Sequence, residues 1–402
     1  MSIGSIRIAF FADSYKEVDG VALTSRKLVE FARERNYPFL CVRAGDSTRV
    51  EKTGSFTEVI LKRSAAALSL DTQLKYDPLF NRHARRVRKE LEEFAPDLIH
   101  ITGLNDVSII GSWLANRLQI PMAGSWHTNI HEFAANRLKK TLGFLPAAMS
   151  GSIADLAEKW ILRGSVFYYR MPKLNLAPNE EITSLLSSGT GRVSRLMGRG
   201  VDAEFFNPAK RTVNDSKLRL GFVGRLRSEK NVRLLADVQT AIDKAGLTNY
   251  KFLIVGDGSE RGWLEKRLKN AEFSGYLSGE ALAEAYANMD IFLFPSLTET
   301  FGNVVQEANA SGVPAIVTDK GGPKFIVQDG ETGFISHGTA EFSANVVKLM
   351  KAPSRLGLMK QRSREFAESR SWSAVFESVY QAYFEALRIA DEQKSAILEK
   401  EK

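Results

Sequence analysis

With 402 residues, 44% of them hydrophobic and 25% charged, the chain is long enough for two packed cores, and its composition excludes a disordered, collagen-like or coiled-coil protein. Its single cysteine, Cys41, excludes an intramolecular disulfide and fits a reducing compartment. The formal net charge of +8 lies in the first half: residues 1–200 hold 28 Lys and Arg against 20 Asp and Glu, which leaves 27 against 27 of the 55 and 47 in all.

In chain order, Ile6–Phe11 reads as a buried strand, followed by a loop to Gly20, helical spacing from Val21 to Arg35 and a second apolar run at Phe39–Val42. Strand, glycine-containing loop, helix and strand make a βαβ unit, which requires a parallel sheet. The rhythm repeats. Asp77–Phe94 is helical and basic, Pro96–His100 leads into a strand, Val107–Leu118 is helical, and Pro121–Ser125 begins another strand. Asn136–Arg163 mixes apolar and basic residues as one or two amphipathic surface helices would, packed on the sheet or lying on a membrane. Leu174–Asn179 reads as a strand end and turn, and Glu180–Ser187 as a helix.

The polar, punctuated stretch Arg199–Pro208 is the expected linker. A second series of strands follows at Leu218–Val223, Phe252–Gly256, Phe273–Gly275, Ile291–Phe294 and Ala315–Val317. From Trp372 to Leu398 an apolar stripe of Trp372, Phe376, Val379, Tyr380, Tyr383 and Leu387 recurs at helical spacing. No run is long enough to span a bilayer, no basic-then-apolar leader opens the chain, and no zinc spacing or aromatic–basic stripe points to nucleic acid. The expected location is therefore the cytoplasm.

Phe294–Gly333 concentrates the chemistry. An apolar strand runs into the polar turn Pro295–Thr300, and Phe301-Gly302-Asn303 then opens a helical pattern. A strand–loop–helix junction offers unpaired backbone N–H groups and the positive end of a helix dipole, so it suits an anion. Glu299 and Glu307 frame the junction, and a carboxylate inside the helix can accept hydrogen bonds from vicinal hydroxyls such as those of a ribose. Glu299 as a cap and Glu307 as a solvated helical residue is the plainer reading of the pair alone. Gly221–Asn231 also joins a strand to a helix and carries Arg225 and Lys230. Two cations on one loop can neutralise a bound anion, although basic loop residues at such a spacing usually face solvent.

These stretches together resemble the retaining glycosyltransferases of the GT-B fold, in particular glycosyltransferase family 4. Glu299 and Glu307 resemble its E-x7-E signature, with Thr300-Phe301-Gly302-Asn303-Val304-Val305 and Gly321-Gly322-Pro323 extending the match. Gly224-Arg225-Leu226 and Lys230 resemble its G-R-L-x-x-x-K motif, Trp126-His127-Thr128-Asn129 its H-T motif, and Arg199-Gly200-Val201-Asp202 with Phe205-Phe206 its linker. The resemblance covers roughly residues 6–390 and is weaker over 43–95.

The resemblance implies two Rossmann-like, doubly wound parallel-sheet α/β domains facing a central cleft, over residues 1–200 and 201–371, with a C-terminal helix (372–402) returning to the first. It implies catalytic roles for His127, Glu299, Arg225 and Lys230. Donor contacts fall to Gly20, Gly224, Gly256, Gly275, Tyr276, Leu277, Thr300, Phe301, Gly302, Asn303, Val304 and Glu307. Gly20 is equally an ordinary turn glycine by local sequence, and Gly256-Asp257-Gly258 looks like a fragment of a dinucleotide loop, a weak signal by itself. His131, one helical turn beyond His127, has no third ligand at a usual spacing, so no metal centre is expected there.

The implied reaction moves a hexose from a nucleotide-diphosphate sugar to an acceptor hydroxyl by a front-face mechanism. It forms an α-glycoside with no cofactor and, in the absence of a D-x-D motif, no required metal. The wording around His127 and Thr300–Val305 is most like GDP-mannose-dependent α-mannosyltransferases and related glycolipid-forming enzymes, with UDP-sugars as the alternative donors. The basic first half and Asn136–Arg163 point to a lipid-linked acceptor and peripheral contact with the anionic inner face of the cytoplasmic membrane. A sugar-nucleotide phosphorylase or epimerase, or a nucleotide-binding module without turnover, would use the same two domains.

Overall fold

The computed structural model describes residues 5–17, 20–69, 75–127, 138 and 147–400. Asp19, Thr128, Asn129 and His131, and most of the first half of the Asn136–Arg163 segment, lie outside these residues. The chain divides into two compact units, residues 1–198 with 375–402, and residues 199–374.

In the first unit, β1 (Ile8–Ala12) leads to α1 (Gly20–Glu34), β2 (Phe39–Gly45), β3 (Arg49–Thr53) and β4 (Phe56–Lys62). A two-residue hairpin, β5 (Leu68–Ser69) with β6 (Lys75–Tyr76), precedes α2 (Ala84–Phe94), β7 (Leu98–Ile101), α3 (Asp106–Arg117) and β8 (Met122–Ser125). Then come α4 (Ala147–Tyr168), β9 (Leu174–Ala177), α5 (Glu180–Thr190) and β10 (Val193–Leu196). The sheet order is β10-β9-β8-β7-β1-β2-β4-β3. Every pairing is parallel except β3 with β4. The strands β1, β7, β8 and β9 are buried along their whole length, as a sheet covered on both faces demands. Helix α5 shows how local sequence sets a boundary. Ile182 N donates to the Asn179 side chain at 3.0 Å, Glu180 and Glu181 occupy the positive first turn, and Gly191 ends the helix at φ 66°.

Two sequence expectations change. The helix expected from Asp77 begins at Ala84, after a single 3-10 turn at Phe80–His83. Asp77 is buried and accepts from Ser64 N, Ser64 Oγ, Leu79 N and Arg82, so its side chain organises the loop instead of continuing a helix. Burial works to raise its carboxyl, but these donors hold it well below the usual range. The helix expected to end at Arg163 continues to Tyr168.

The second unit runs β11 (Leu218–Val223), α6 (Leu234–Lys244), β12 (Tyr250–Val255), α7 (Arg261–Glu265), β13 (Ala271–Gly275), α8 (Gly279–Ala287) and β14 (Ile291–Phe294). It continues with α9 (Asn303–Ala310), β15 (Ala315–Thr318), β16 (Gly333–Ser336), α10 (Thr339–Met350) and α11 (Pro353–Glu368). Its sheet is wholly parallel in the order β13-β12-β11-β14-β15-β16. This is the doubly wound order, and the winding, the direction in which successive strands are added, reverses between β11 and β14. One apolar cluster built on Phe222, Phe252, Phe292 and Phe294 fills it.

The last helix, α12 (Trp372–Lys400), changes unit near its start. Trp372 belongs with the second unit, because its backbone and ring crowd Gly200 at 2.4–2.7 Å from where a Cβ would stand, and Val201 N donates to Arg370 O at 2.9 Å. From Phe376 onward its apolar stripe packs on the first unit. Phe376 and Tyr380 lie 5.6 and 5.9 Å from Phe31, ring centre to ring centre. Arg199 opens the second unit for a similar reason: its guanidinium lies 5.5 Å from the Phe301 ring and donates to Asn303 Oδ1 at 3.2 Å.

Candidate active site

In open parallel sheets a ligand crevice forms outside the carboxyl ends of the strands, at the point where the winding reverses. In the second unit that point lies between β11 and β14, and the two loops leaving those strands carry Arg225, Lys230 and Glu299. Lys230 closes a 3-10 turn at Ser228–Lys230, which Asn231 ends in the left-handed conformation (φ 52°). Its ammonium is in direct ion-pair contact with Glu299. Burial, and then the nearby Arg225 guanidinium, push the Lys230 ammonium down to about 8, so it is still a cation at neutral pH. Arg225 is exposed and stands 3.9 Å from Glu229.

Glycines let the loops of neighbouring strands meet backbone to backbone. A Cβ on Gly256 would lie 2.0 Å from Gly224 O, with φ already at +126°. Hydrogen bonds stitch the same loops: Gly224 N to Val255 O at 3.0 Å, Leu226 N to Asp257 O at 2.9 Å, Gly256 N to Gly275 O at 2.7 Å. On the other side of β14, Gly322 N donates to Glu299 O at 2.6 Å, and a Cβ on Gly322 would lie 2.1 Å from Thr300 O. These contacts fix the Glu299–Gly302 loop.

Gly302 (φ 102°) caps α9, and Asn303 and Val304 form its first turn, where backbone N–H groups precede the first intrahelical partner. Phe301 is buried and anchors the loop. Glu307, one turn further, accepts from the Tyr286 hydroxyl at 2.8 Å, and burial raises its carboxyl pKa while that bond opposes the rise. Tyr286, on α8, is the partner of this candidate carboxylate, and sequence reasoning missed it. It stands among alanines in a short helix, and nothing local marks it. Tyr276 is exposed at the end of β13, and Leu277 is partly buried against the core.

The structure thus brings Arg225, Lys230, Glu299, Gly224, Gly256, Gly275 and Thr300–Val304 to one end of one sheet, with Glu307 behind them in α9. Gly20 and His127 stand in the first unit: Gly20 opens α1 after β1, and His127 follows β8. His127 is buried, and its Nε2 lies 2.8 Å from Ser125 Oγ. The α3 N-terminus in this unit is already occupied, because Ser108 N and Asn105 N donate to the buried Asp13 carboxyl at 2.8 and 3.0 Å. Desolvation raises that carboxyl to about 6, against the pull of these donors. Among the described residues no group of three or more His, Cys, Asp or Glu side chains is placed to hold a metal ion, and no helix is long and apolar enough to cross a membrane.

Residues 217–352, most of the second unit, match the family described as glycosyl transferases group 1. The chain is 30% identical to the GDP-mannose-dependent alpha-mannosyltransferase of Mycobacterium tuberculosis strain CDC 1551, over 95% of this chain and 97% of that one. It is 27% identical to the enzyme of the same name from Corynebacterium glutamicum, over 96% and 91%. Among solved structures, sucrose-phosphate synthase from Thermosynechococcus elongatus superposes with a TM-score of 0.67 at 17% identity, over 94% of this chain and 98% of that one, a likeness of fold. Similarity that runs the length of both chains, and centres on the unit whose loops gather two cations and a carboxylate at the winding reversal, shows that the chain belongs to glycosyltransferase family 4, the GT-B glycosyltransferases of group 1.

Proposed function

We propose that this glycosyltransferase moves mannose from GDP-mannose to an acceptor hydroxyl with retention of configuration and without a metal ion. The observation that carries the reading is the meeting of Lys230, Glu299 and the α9 N-terminus at the β11/β14 reversal, with Arg225 beside them. The mannose and GDP assignment rests on relatives of that name at 27–30% identity.

In this reading the donor diphosphate takes the place of Glu299 as the partner of Lys230. Arg225, Lys230 and the amides of Asn303 and Val304 then face the growing negative charge as the bond from C1 to the phosphate oxygen breaks. The acceptor oxygen bonds to C1 on the same face, its proton passes to the departing phosphate oxygen, and GDP leaves. Glu299, released from Lys230, orients the sugar hydroxyls. Glu307, oriented by Tyr286, accepts from the ribose, and the Gly256 and Gly275–Leu277 loops line the nucleoside. For Gly20 and His127, in the first unit, the reading keeps the roles toward the transferred sugar that the family resemblance implies.

A lipid-linked acceptor and anionic-membrane contact are part of the proposal. Helix α4 presents Ile153, Leu156, Trp160 and Phe167 as exposed side chains at helical spacing, with the guanidinium of Arg163 5.7 Å from the Trp160 ring.

Thermal shift against GDP, UDP, ADP and their sugars, with and without EDTA, tests the donor. A rise with GDP and GDP-mannose that survives EDTA is expected, together with an α-mannoside product by NMR. A rise with UDP-sugars alone overturns the donor, a β-product overturns retention, and a response abolished by EDTA overturns metal independence. Co-sedimentation with anionic over neutral vesicles is expected; equal, negligible binding to both overturns the membrane contact.

A further inference from the structure

Four side chains of the first unit make a continuous hydrogen-bonded line. The Tyr383 hydroxyl lies 2.7 Å from His100 Nδ1, His100 Nε2 lies 2.9 Å from Ser125 Oγ, and Ser125 Oγ lies 2.8 Å from His127 Nε2. Tyr383, His100 and Ser125 are 0% exposed, and His127 is 8% exposed. His100 sits in the middle of β7, where an apolar side chain would be expected, and Tyr383 comes from α12, more than 280 residues away in the chain.

Proton accounting gives this line a direction. His100 is neutral, because burial pushes its imidazole down to about 3, so its ring carries one proton. Among the described residues, His100 Nδ1 is the sole hydrogen-bond partner of the buried Tyr383 hydroxyl. A buried O–H without an acceptor is costly, so Tyr383 donates to Nδ1. The His100 proton is then on Nε2 and is donated to Ser125 Oγ. Ser125 has two acceptors for its own proton, His127 Nε2 at 2.8 Å and Ile101 O at 3.3 Å, and the shorter contact is the stronger. His127 Nε2 therefore accepts, and a neutral His127 carries its proton on Nδ1.

We propose that Tyr383, His100 and Ser125 form a one-way hydrogen-bond chain that holds His127 in its Nδ1–H tautomer, which makes Tyr383 of the C-terminal helix a positioning residue for the histidine that contacts the sugar. The catalytic half of this inference rests on the role given to His127 above. A fixed tautomer decides whether the ring presents a donor or an acceptor at a given atom, and it removes the cost of reorienting the ring in each turnover.

The test is a long-range ¹H–¹⁵N correlation spectrum of ¹⁵N-histidine protein. With five histidines in the chain, His127→Asn identifies the His127 signals. The expected wild-type pattern is a protonated Nδ1 and an unprotonated Nε2 for His127, and the reverse for His100. Protonated Nε2 on neutral His127 overturns the chain, since Ser125 would then be donating to Ile101. Tyr383→Phe is expected to add a second His127 tautomer and to lower kcat by about 3–10-fold with donor KM within about 2-fold, in the range of one lost orienting hydrogen bond. In a His127→Asn background, Tyr383→Phe is expected to lower kcat no further; an additive loss would mean a merely structural tyrosine and overturn the positioning role. Full kcat in His127→Asn alone overturns the functional reading of His127, and with it the catalytic role of Tyr383, whereas the wild-type spectrum still decides the hydrogen-bond chain. That spectrum needs no variant of Tyr383, so a misfolded Tyr383→Phe does not remove the test.

Discussion

The strand-end rims of the two units use polar groups in opposite ways. In the second unit, Lys230, Glu299 and the exposed Arg225 are charged and lie on loops, and the α9 N-terminus behind Gly302 faces the same end of the sheet. In the first unit the corresponding resources are spent internally. Asp13 is buried as the acceptor of the α3 amides, Asp106 is held by Arg63 through bonds of 2.8 and 3.0 Å, and the histidines His100 and His127 belong to a buried hydrogen-bond line. Two sheets with the same winding thus divide the labour. One keeps Arg225 and the Lys230–Glu299 pair on its loops, and the other buries Asp13 and Asp106 among their partners. A helix N-terminus already filled by a carboxylate is a poor phosphate site, which supports the proposal that assigns the donor diphosphate to the second unit.

The sharpest way to break that comparison is to remove a charge from the second rim. Lys230→Ala is expected to lower kcat/KM for the donor by about 10²–10³-fold with the fold retained. Since burial lowers the Lys230 ammonium to about 8, donor kcat/KM in the native protein should fall as pH rises through 8–9; Lys230→Arg should abolish that fall. A flat profile in the native protein would remove Lys230 from the site.

Next in size is the backbone contact beneath that rim. Gly256→Ala places a methyl group 2.0 Å from Gly224 O at φ +126°, and about 3–4 kcal/mol of stability should be lost in denaturant melts that follow the second unit. Unchanged stability would show that the two loops part easily.

The first rim should respond to pH through stability. Asp13 is raised from 3.8 to about 6 in the folded state, so the native protein binds this proton more tightly than the unfolded chain does. Stability is therefore lost as pH rises from about 4 to about 6, by about 3 kcal/mol across that window. The difference in stability between native protein and Asp13→Asn should change by that amount over the same range. No pH-dependent difference would place Asp13 in contact with water.

The smallest effect sharpens the comparison within the second unit. Tyr286→Phe removes the donor that holds Glu307, and donor KM should rise by about 5–10-fold, near the worth of one hydrogen bond, with kcat little changed. A fall in kcat of the same size would assign Glu307 to the transition state.

Much of this protein is determined locally. Apolar runs such as Ile291–Phe294 and Leu218–Val223 must be buried strands, so β14 and β11 are legible residue by residue, and the glycine- and charge-bearing loops that follow them mark the rim. Helix α5 carries its own start and stop in Asn179 and Gly191. The antiparallel β3 and the edge strands β10 and β16 carry no such signal, because short, partly exposed strands lack a continuous apolar run.

Tertiary structure decided what local pattern does not encode. Lys230 and Glu299 are 69 residues apart, and only the parallel pairing of β11 with β14 puts their loops side by side. Tyr286 meets Glu307, and Tyr383 meets His100, through packing of helices whose sequences show only apolar periodicity. Propensity and periodicity act over a few residues. Hydrogen bonds between distant side chains exist only once strand order and helix docking have placed them within 3 Å, and in this chain that placement sets the Lys230–Glu299 pair on one rim and buries Asp13 and His100 in the other unit.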